Sequence, residues 1–233
     1  MMVGDSTMAS LFKNMALVSS AGAGLLASLP QQALQLPCGA NLTFMRSDWL
    51  ADRKAYSCDV FECNWRAALT ERLTVVLSTG LHQVGDVLHP FDRVHPPNTS
   101  RAARVAELHA RMGHSADELA AFLARSAVTR VLWLRAAWGV PKPLRHVEPP
   151  LATPLPPSQM YGWDQTAAVN EIYVKALRAA LRPGVLRVVD PTHSLAMQPS
   201  CRRDHVHFVN GVGLVAVWPR ILAALRDWNP IVH

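Results

Sequence analysis

Three short runs constrain this chain more than anything else in it: Leu73-Thr74-Val75-Val76-Leu77, Val128–Leu134 and Val185–Val189. Each is apolar along most of its length and rich in β-branched residues. Each therefore predicts a strand buried on both faces. Two segments with helical spacing separate them. Over 101–125, Val105, Leu108, Met112, Leu119, Phe122 and Leu123 recur at about the helical period. A break is expected at Gly113-His114-Ser115, where Ser115 and Glu118 can form a capping box for a second half. Residues 164–181 predict another helix, with Asp164 as N-cap and Arg182-Pro183-Gly184 as the stop. Strands alternating with helices imply a parallel sheet covered on both faces.

The remaining segments extend this pattern. Met1–Val3 predicts a first strand, and Thr7 to about Leu29 a helix that ends near Pro30. Residues 30–55 read as loop, with Pro30, Pro37 and Gly39 as breakers. A second strand is expected within Tyr56–Cys63. A proline-rich surface loop is expected at about 139–158, and a last helix from Gly211 to Trp228. The whole chain, 1–233, is expected to form a single domain. Three residues are few for a strand. The first strand is therefore expected to be cut short by truncation of the chain at its amino end.

Half of the residues are hydrophobic and 17% are charged, which favours a sizeable core over disorder. A net charge of +6 would permit a nucleic-acid partner, but the basic residues are scattered and Arg202-Arg203 is their densest cluster. No nucleic-acid partner is expected. No run of 18 apolar residues occurs, so a membrane anchor is expected only in a missing upstream segment. The four cysteines, Cys38, Cys58, Cys63 and Cys201, form no CxxC pair. Together with the acceptor patterns at Asn41 and Asn98 they lean toward a secretory compartment. No dinucleotide or P-loop glycine pattern is present, so no cofactor is expected.

Parallel sheets place their sites at the carboxyl ends of strands. Here that selects Gly4-Asp5-Ser6, Cys63-Asn64, Ser78-Thr79-Gly80, Arg135 and the segment after Asp190. A serine at a strand-to-helix turn is exposed at the sheet's end, beside helix amides that favour negative charge. It needs a base to become a nucleophile; the plainer reading of Asp5 or Ser6 is a helix cap. After the last strand, Cys201-Arg202-Arg203-Asp204-His205-Val206-His207-Phe208 offers an acid and two histidines. Asp204 can hold the ring of His207 while its other nitrogen takes the Ser6 proton. The plainer reading is a surface loop with a capping histidine. His205 and His207 lack a third ligand, so no metal is expected. A secretion signal over 1–28 fits poorly, because Asp5 and a single lysine, Lys13, replace its basic start.

Gly-Asp-Ser at the first strand end together with Asp-x-x-His before the last helix resembles the SGNH (GDSL-type) hydrolase superfamily. "MVGDSTMASLFKNM", "LTVVLSTGLHQ" and "RRDHVHFVNGVGLVAVWPRIL" are similar to its PC-esterase group, which includes the trichome-birefringence-like polysaccharide O-acetyltransferases. The resemblance implies a three-layer α/β/α sandwich with flavodoxin-like strand order. It implies Ser6 as nucleophile, Asp204 as orienting acid and His207 as general base. Gly4, Asn64, Ser78 and Gly80 become oxyanion or pocket candidates beside the Ser6 amide. Two departures stand out: no glycine follows the second strand, and Ser78 stands where related proteins commonly carry asparagine. The implied reaction is acyl transfer on O-acyl, chiefly O-acetyl, esters of glycans or small molecules. Water as acceptor gives an esterase and a sugar hydroxyl gives a transferase, in the Golgi lumen or outside the cell. The alternative is an inactive SGNH-like domain that binds a glycan or protein.

Overall fold

Six strands make one sheet in the computed structural model, which describes residues 1–18, 31–35, 41–47, 50, 64–69, 73–79, 84, 88, 99–136, 165–190 and 217–228. Along the chain come β1 (Met2–Gly4), α1 (Ser6–Val18), β2 (Gln31–Gln35) and β3 (Asn41–Arg46). A 3-10 turn (Arg66–Ala68) precedes β4 (Thr74–Ser78), α2 (Arg101–Arg125) and β5 (Arg130–Leu134). Then follow α3 (Thr166–Ala180), β6 (Leu186–Val189) and α4 (Trp218–Arg226). The sheet order is β2-β3-β1-β4-β5-β6. The five strands from β3 to β6 are parallel, and β2 lies antiparallel on the β3 edge.

Side chains along a strand alternate between faces, and the buried residues sort accordingly. Val3, Met45, Val75, Leu77, Val131 and Trp133 share one core with Leu108, Met112 and Leu119 of α2 and Val169, Tyr173 and Leu177 of α3. Met2, Phe44, Val76, Leu132 and Leu134 share the other with Met8, Leu11 and Phe12 of α1 and Trp218 and Ile221 of α4. The sheet is thus the middle of three layers. The parallel strands take the flavodoxin-like order, with β1 central. On the α2/α3 face Trp133 stacks on Tyr173, ring centroids 4.8 Å apart, a contact worth about 1 kcal/mol beyond its buried area. Burial also pushes the Tyr173 phenol above its ordinary range, so it stays neutral.

Two expectations are corrected. Within the 30–55 segment, 31–35 and 41–46 are not loop: they form β2 and β3, paired from Gln31↔Met45 to Gln35↔Asn41. Gln31, Gln32, Gln35, Asn41 and Thr43 make these strands polar, as suits a sheet edge with exposed positions at Ala33, Gln35 and Asn41. Pro30, Pro37 and Gly39, read as breakers, lie outside the described residues. The stretch 56–63 lies outside the described residues, as do 19–30, 137–164 and 191–216. β1's parallel neighbour on that side is therefore β3.

The second correction concerns α2, which runs unbroken for 25 residues through Gly113. Its buried stripe, Leu108, Met112, Ala116, Leu119, Ala120 and Leu123, continues across the expected break. His114 and Glu118 pair at 3.3 Å along the helix instead of starting a new one. Tertiary packing outweighs one glycine's propensity, about 1 kcal/mol. The helix begins at Ser100, whose hydroxyl accepts the Ala103 amide at 3.2 Å. A Cβ at Gly113 would meet nothing within 4 Å. Gly113→Ala is therefore expected to stabilise the protein by about 0.5–1 kcal/mol. A urea midpoint that rises at unchanged slope will show it; a lower midpoint would mean that α2 needs this glycine for another reason.

Helix α4 is fastened at both ends. Pro219 suits its first turn, where no amide partner is needed. The Trp218 indole donates to Leu11 O of α1 at 3.0 Å. The Trp228 indole donates to Gly184 O at 2.8 Å. Gly184 turns the chain into β6 with φ +83°, a conformation that favours glycine. Arg187 stacks over Trp228 at 4.9 Å and donates to Ala224 O at 3.2 Å.

Candidate active site at the carboxyl edge

The strand order locates the crevice. In this topology ligands bind outside the carboxyl ends of the strands where the order reverses, which here is between β1 and β4. Gly4 is level with Ser78 of β4 and Arg46 of β3. One position further, the ladder continues: Ser47 N donates to Gly4 O at 3.0 Å, and Arg135 N to Val189 O at 2.9 Å. The register therefore sets Ser47, Asp5, Thr79, Arg135 and Asp190 in a row across the edge. They follow Met45, Val3, Leu77 and Trp133 by two residues in the first four strands, so alternation turns that row toward α2 and α3. Arg135 duly pairs with Glu171 of α3 and lies 3.9 Å from Asp190.

Polar burial is concentrated here. Among the described residues the buried polar side chains are Asp5, Ser47, Ser78, Thr79, Thr166 and Asn170, and all six lie at this edge. Burying such groups is costly unless hydrogen bonds replace water. Asn170 shows how: its Oδ1 accepts from Ala136 N at 3.0 Å and Trp133 Nε1 at 3.4 Å. Its Nδ2 donates to Thr166 O at 2.9 Å and Ala136 O at 3.5 Å. With all four positions used, Asn170 fixes the backbone where β5 leaves the sheet.

Ser6 is the first residue of α1, directly beyond β1. The first bond of the helix runs from Ala9 N to Asp5 O at 3.1 Å. The amides of Ser6, Thr7 and Met8 therefore have no carbonyl four residues back within α1, and they form its positive end. Gly4 brings this turn close to β4: a Cβ there would lie 2.6 Å from Ser78 O and 2.5 Å from Met8 Cγ. Ser78 is level with Gly4, and alternation after Val76 sets it on α1's side of the sheet. The serine proposed as an oxyanion or pocket donor is thus next to the Gly4-Asp5-Ser6 turn. Asn64 precedes the 3-10 turn, and its Oδ1 accepts the Ala67 amide at 3.3 Å.

Gly80, Asp204 and His207 lie outside the described residues. The flanks of the segment that carries Asp204 and His207 are described. It leaves β6 at Asp190, and Arg220 in the first turn of α4 donates back to Asp190 O at 3.3 Å. The same turn holds Trp218, bound to α1 at Leu11. Both flanks therefore meet the edge at which Ser6 begins its helix. No group of three His, Cys, Asp or Glu that could hold a metal ion occurs among the described residues. No described helix is long and apolar enough to cross a membrane.

Ser47 and Asn170 were not legible as site-edge residues. Ser47 follows a strand whose polar sequence reads as loop, and Asn170 carries no motif, whereas Thr79 stands in the Ser78-Thr79-Gly80 stretch that the strand-end rule selected. Comparisons with protein-family models, with curated proteins and with solved structures return no match.

Proposed function

We propose that the protein is a serine-dependent acyl-transfer enzyme acting on O-acyl esters of glycans, as an esterase or O-acetyltransferase of SGNH type. The observation that carries this reading is the position of Ser6, at the head of α1 beyond the central strand and beside the switch point. The convergence of the flanks of 191–216 on the same edge supports His207 as its base. In the proposed reaction, His207 takes the Ser6 Oγ proton as Oγ attacks the ester carbonyl. The tetrahedral oxyanion is held by the Ser6 amide at the positive end of α1, with Ser78 and Gly80 as further donors. Collapse expels the sugar alkoxide, which receives the proton from His207 and leaves acyl-Ser6. Water or a second sugar hydroxyl then repeats the sequence in reverse. The glycan substrate and a secretory location come with the sequence resemblance.

A fluorophosphonate probe tests the reading directly. Ser6 Oγ displaces fluoride from phosphorus only where a base activates it. Labelling of the wild type that is lost in both Ser6→Ala and His207→Ala is expected. A folded wild type that takes no label would replace this reading with that of an inactive domain that binds a glycan or protein.

A further inference from the structure

We infer that Arg46 determines specificity at this site, and that the glycan it selects is acidic, with a sugar carboxylate near the acylated hydroxyl. The inference rests on the acyl-transfer reading above. Arg46 ends β3 and stands level with Gly4, the last residue of β1. Adjacent strands lie about 4.8 Å apart, so one strand spacing separates Arg46 from the turn that leads into Ser6. Alternation decides its face. Leu42 and Phe44, four and two residues earlier, pack in the core beneath α1. Arg46 is therefore set on α1's side of the sheet, whereas Asp5, two residues beyond Val3, is turned to the other.

Helix α1 lies over this strand. The Phe12 and Phe44 rings are 5.8 Å apart. Met8 abuts Gly4 while Phe12 meets Phe44, which is level with Met2, so α1 runs antiparallel to β3. Ser6 is six residues before Phe12, about 9 Å back along the helix. Arg46 is two residues beyond Phe44, about 6.6 Å along the strand. Both displacements point to the carboxyl edge, and they end nearly level. Arg46 and the head of α1 thus share one corner of the crevice. The first turn of α1 carries no acidic residue, and its amides add positive potential. Arg46 is half-buried, and its guanidinium offers a rigid fork of donors that matches a carboxylate. At longer range the net charge of +6 favours the approach of an acidic polymer.

The experiment compares two esters that differ only in the carboxylate, an acetylated methyl glucoside and the matching acetylated methyl glucuronide. On each, kcat/KM is measured for the full chain as wild type, Arg46→Gln and Arg46→Lys, with fluorophosphonate labelling alongside. The readout is the ratio between the esters, which a purely structural role would leave unmoved. The wild type is expected to prefer the acidic ester by about tenfold or more, the scale of a hydrogen bond to a charged group. Arg46→Gln should erase that preference through KM more than kcat, because the carboxylate is held alike before and during reaction. Arg46→Lys should keep part of it. A preference that survives in Arg46→Gln overturns the inference. So does a labelled wild type that treats both esters alike or turns over neither; the acyl-transfer reading then stands. A wild type that takes no label refutes that reading, and the inference falls with it. Should Arg46→Gln fail to fold, Arg46→Lys decides: a weakened preference supports the inference, and a wild-type preference overturns it.

Discussion

Ser6→Ala is expected to lower ester turnover by about ten-thousandfold or more, while the unfolding temperature stays within a few degrees of the wild type. The size follows from the chemistry. Without the hydroxyl no acyl-enzyme forms, and residual catalysis comes only from substrate binding and oxyanion stabilisation. His207→Ala should cost a similar factor, because an unactivated serine is a weak nucleophile at neutral pH. Residues that act as one unit are not additive. The double variant Ser6→Ala/His207→Ala should therefore be no slower than the slower single variant. Initial rates on a chromogenic acetate ester, with thermal unfolding of each variant alongside, measure this. A Ser6→Ala protein that keeps a tenth of the wild-type rate would exclude Ser6 as nucleophile, and a double variant far slower than either single one would separate Ser6 from His207.

Gly4→Ala is expected to lower the unfolding temperature by about 6–12 °C. The constraint at Gly4 is one of space. Among the described glycines only Gly184 has positive φ, so Gly4 adopts a backbone that any residue could take. The added Cβ would sit 2.6 Å from the Ser78 carbonyl and 2.5 Å from Met8 Cγ. Met8 is 1% exposed and held in the core, and the Ser78 carbonyl belongs to the neighbouring strand. Relief requires β1, β4 and α1 to move apart, and overpacking of that kind costs about 3 kcal/mol. In a chain of this size each kcal/mol lowers the midpoint by roughly 2–4 °C. Because the same shift displaces the turn that carries Ser6, labelling by the fluorophosphonate probe should fall as well. An unfolding temperature within 2 °C of the wild type would show that the sheet yields there at little cost. Gly113→Ala, the same chemical change, is expected to act in the opposite direction, since at that position the methyl meets open space.

Elements whose period is clean were legible from the residues. β4, β5 and β6 fall within two residues of the apolar runs that announce them, and α2 and α3 follow their apolar spacing. β2 and β3 were not legible, because an edge hairpin of glutamine, asparagine and threonine lacks the apolar signal that burial imposes on central strands. That miss left Ser47, at the end of β3 and level with Asp5, off the row of strand ends. At the site, the Gly4-Asp5-Ser6 turn and Ser78 were legible, since each ends an apolar run. That Ser47 stands level with Asp5 and Thr79 in one row was not, because this alignment exists only through the register of three strands.

The sequence by itself determined which segments become buried strands and which become helices, and it set a serine at the first strand-to-helix turn. Those outcomes depend on periods of two and 3.6 residues, and every residue that decides them lies within a turn or two. Only the tertiary structure decided that β1 lies between β3 and β4, that Gly4 must yield to a neighbouring carbonyl, and that Trp218 reaches Leu11 across 207 positions. Strand order, register and helix docking are chosen by contacts between distant segments, and no local pattern carries them.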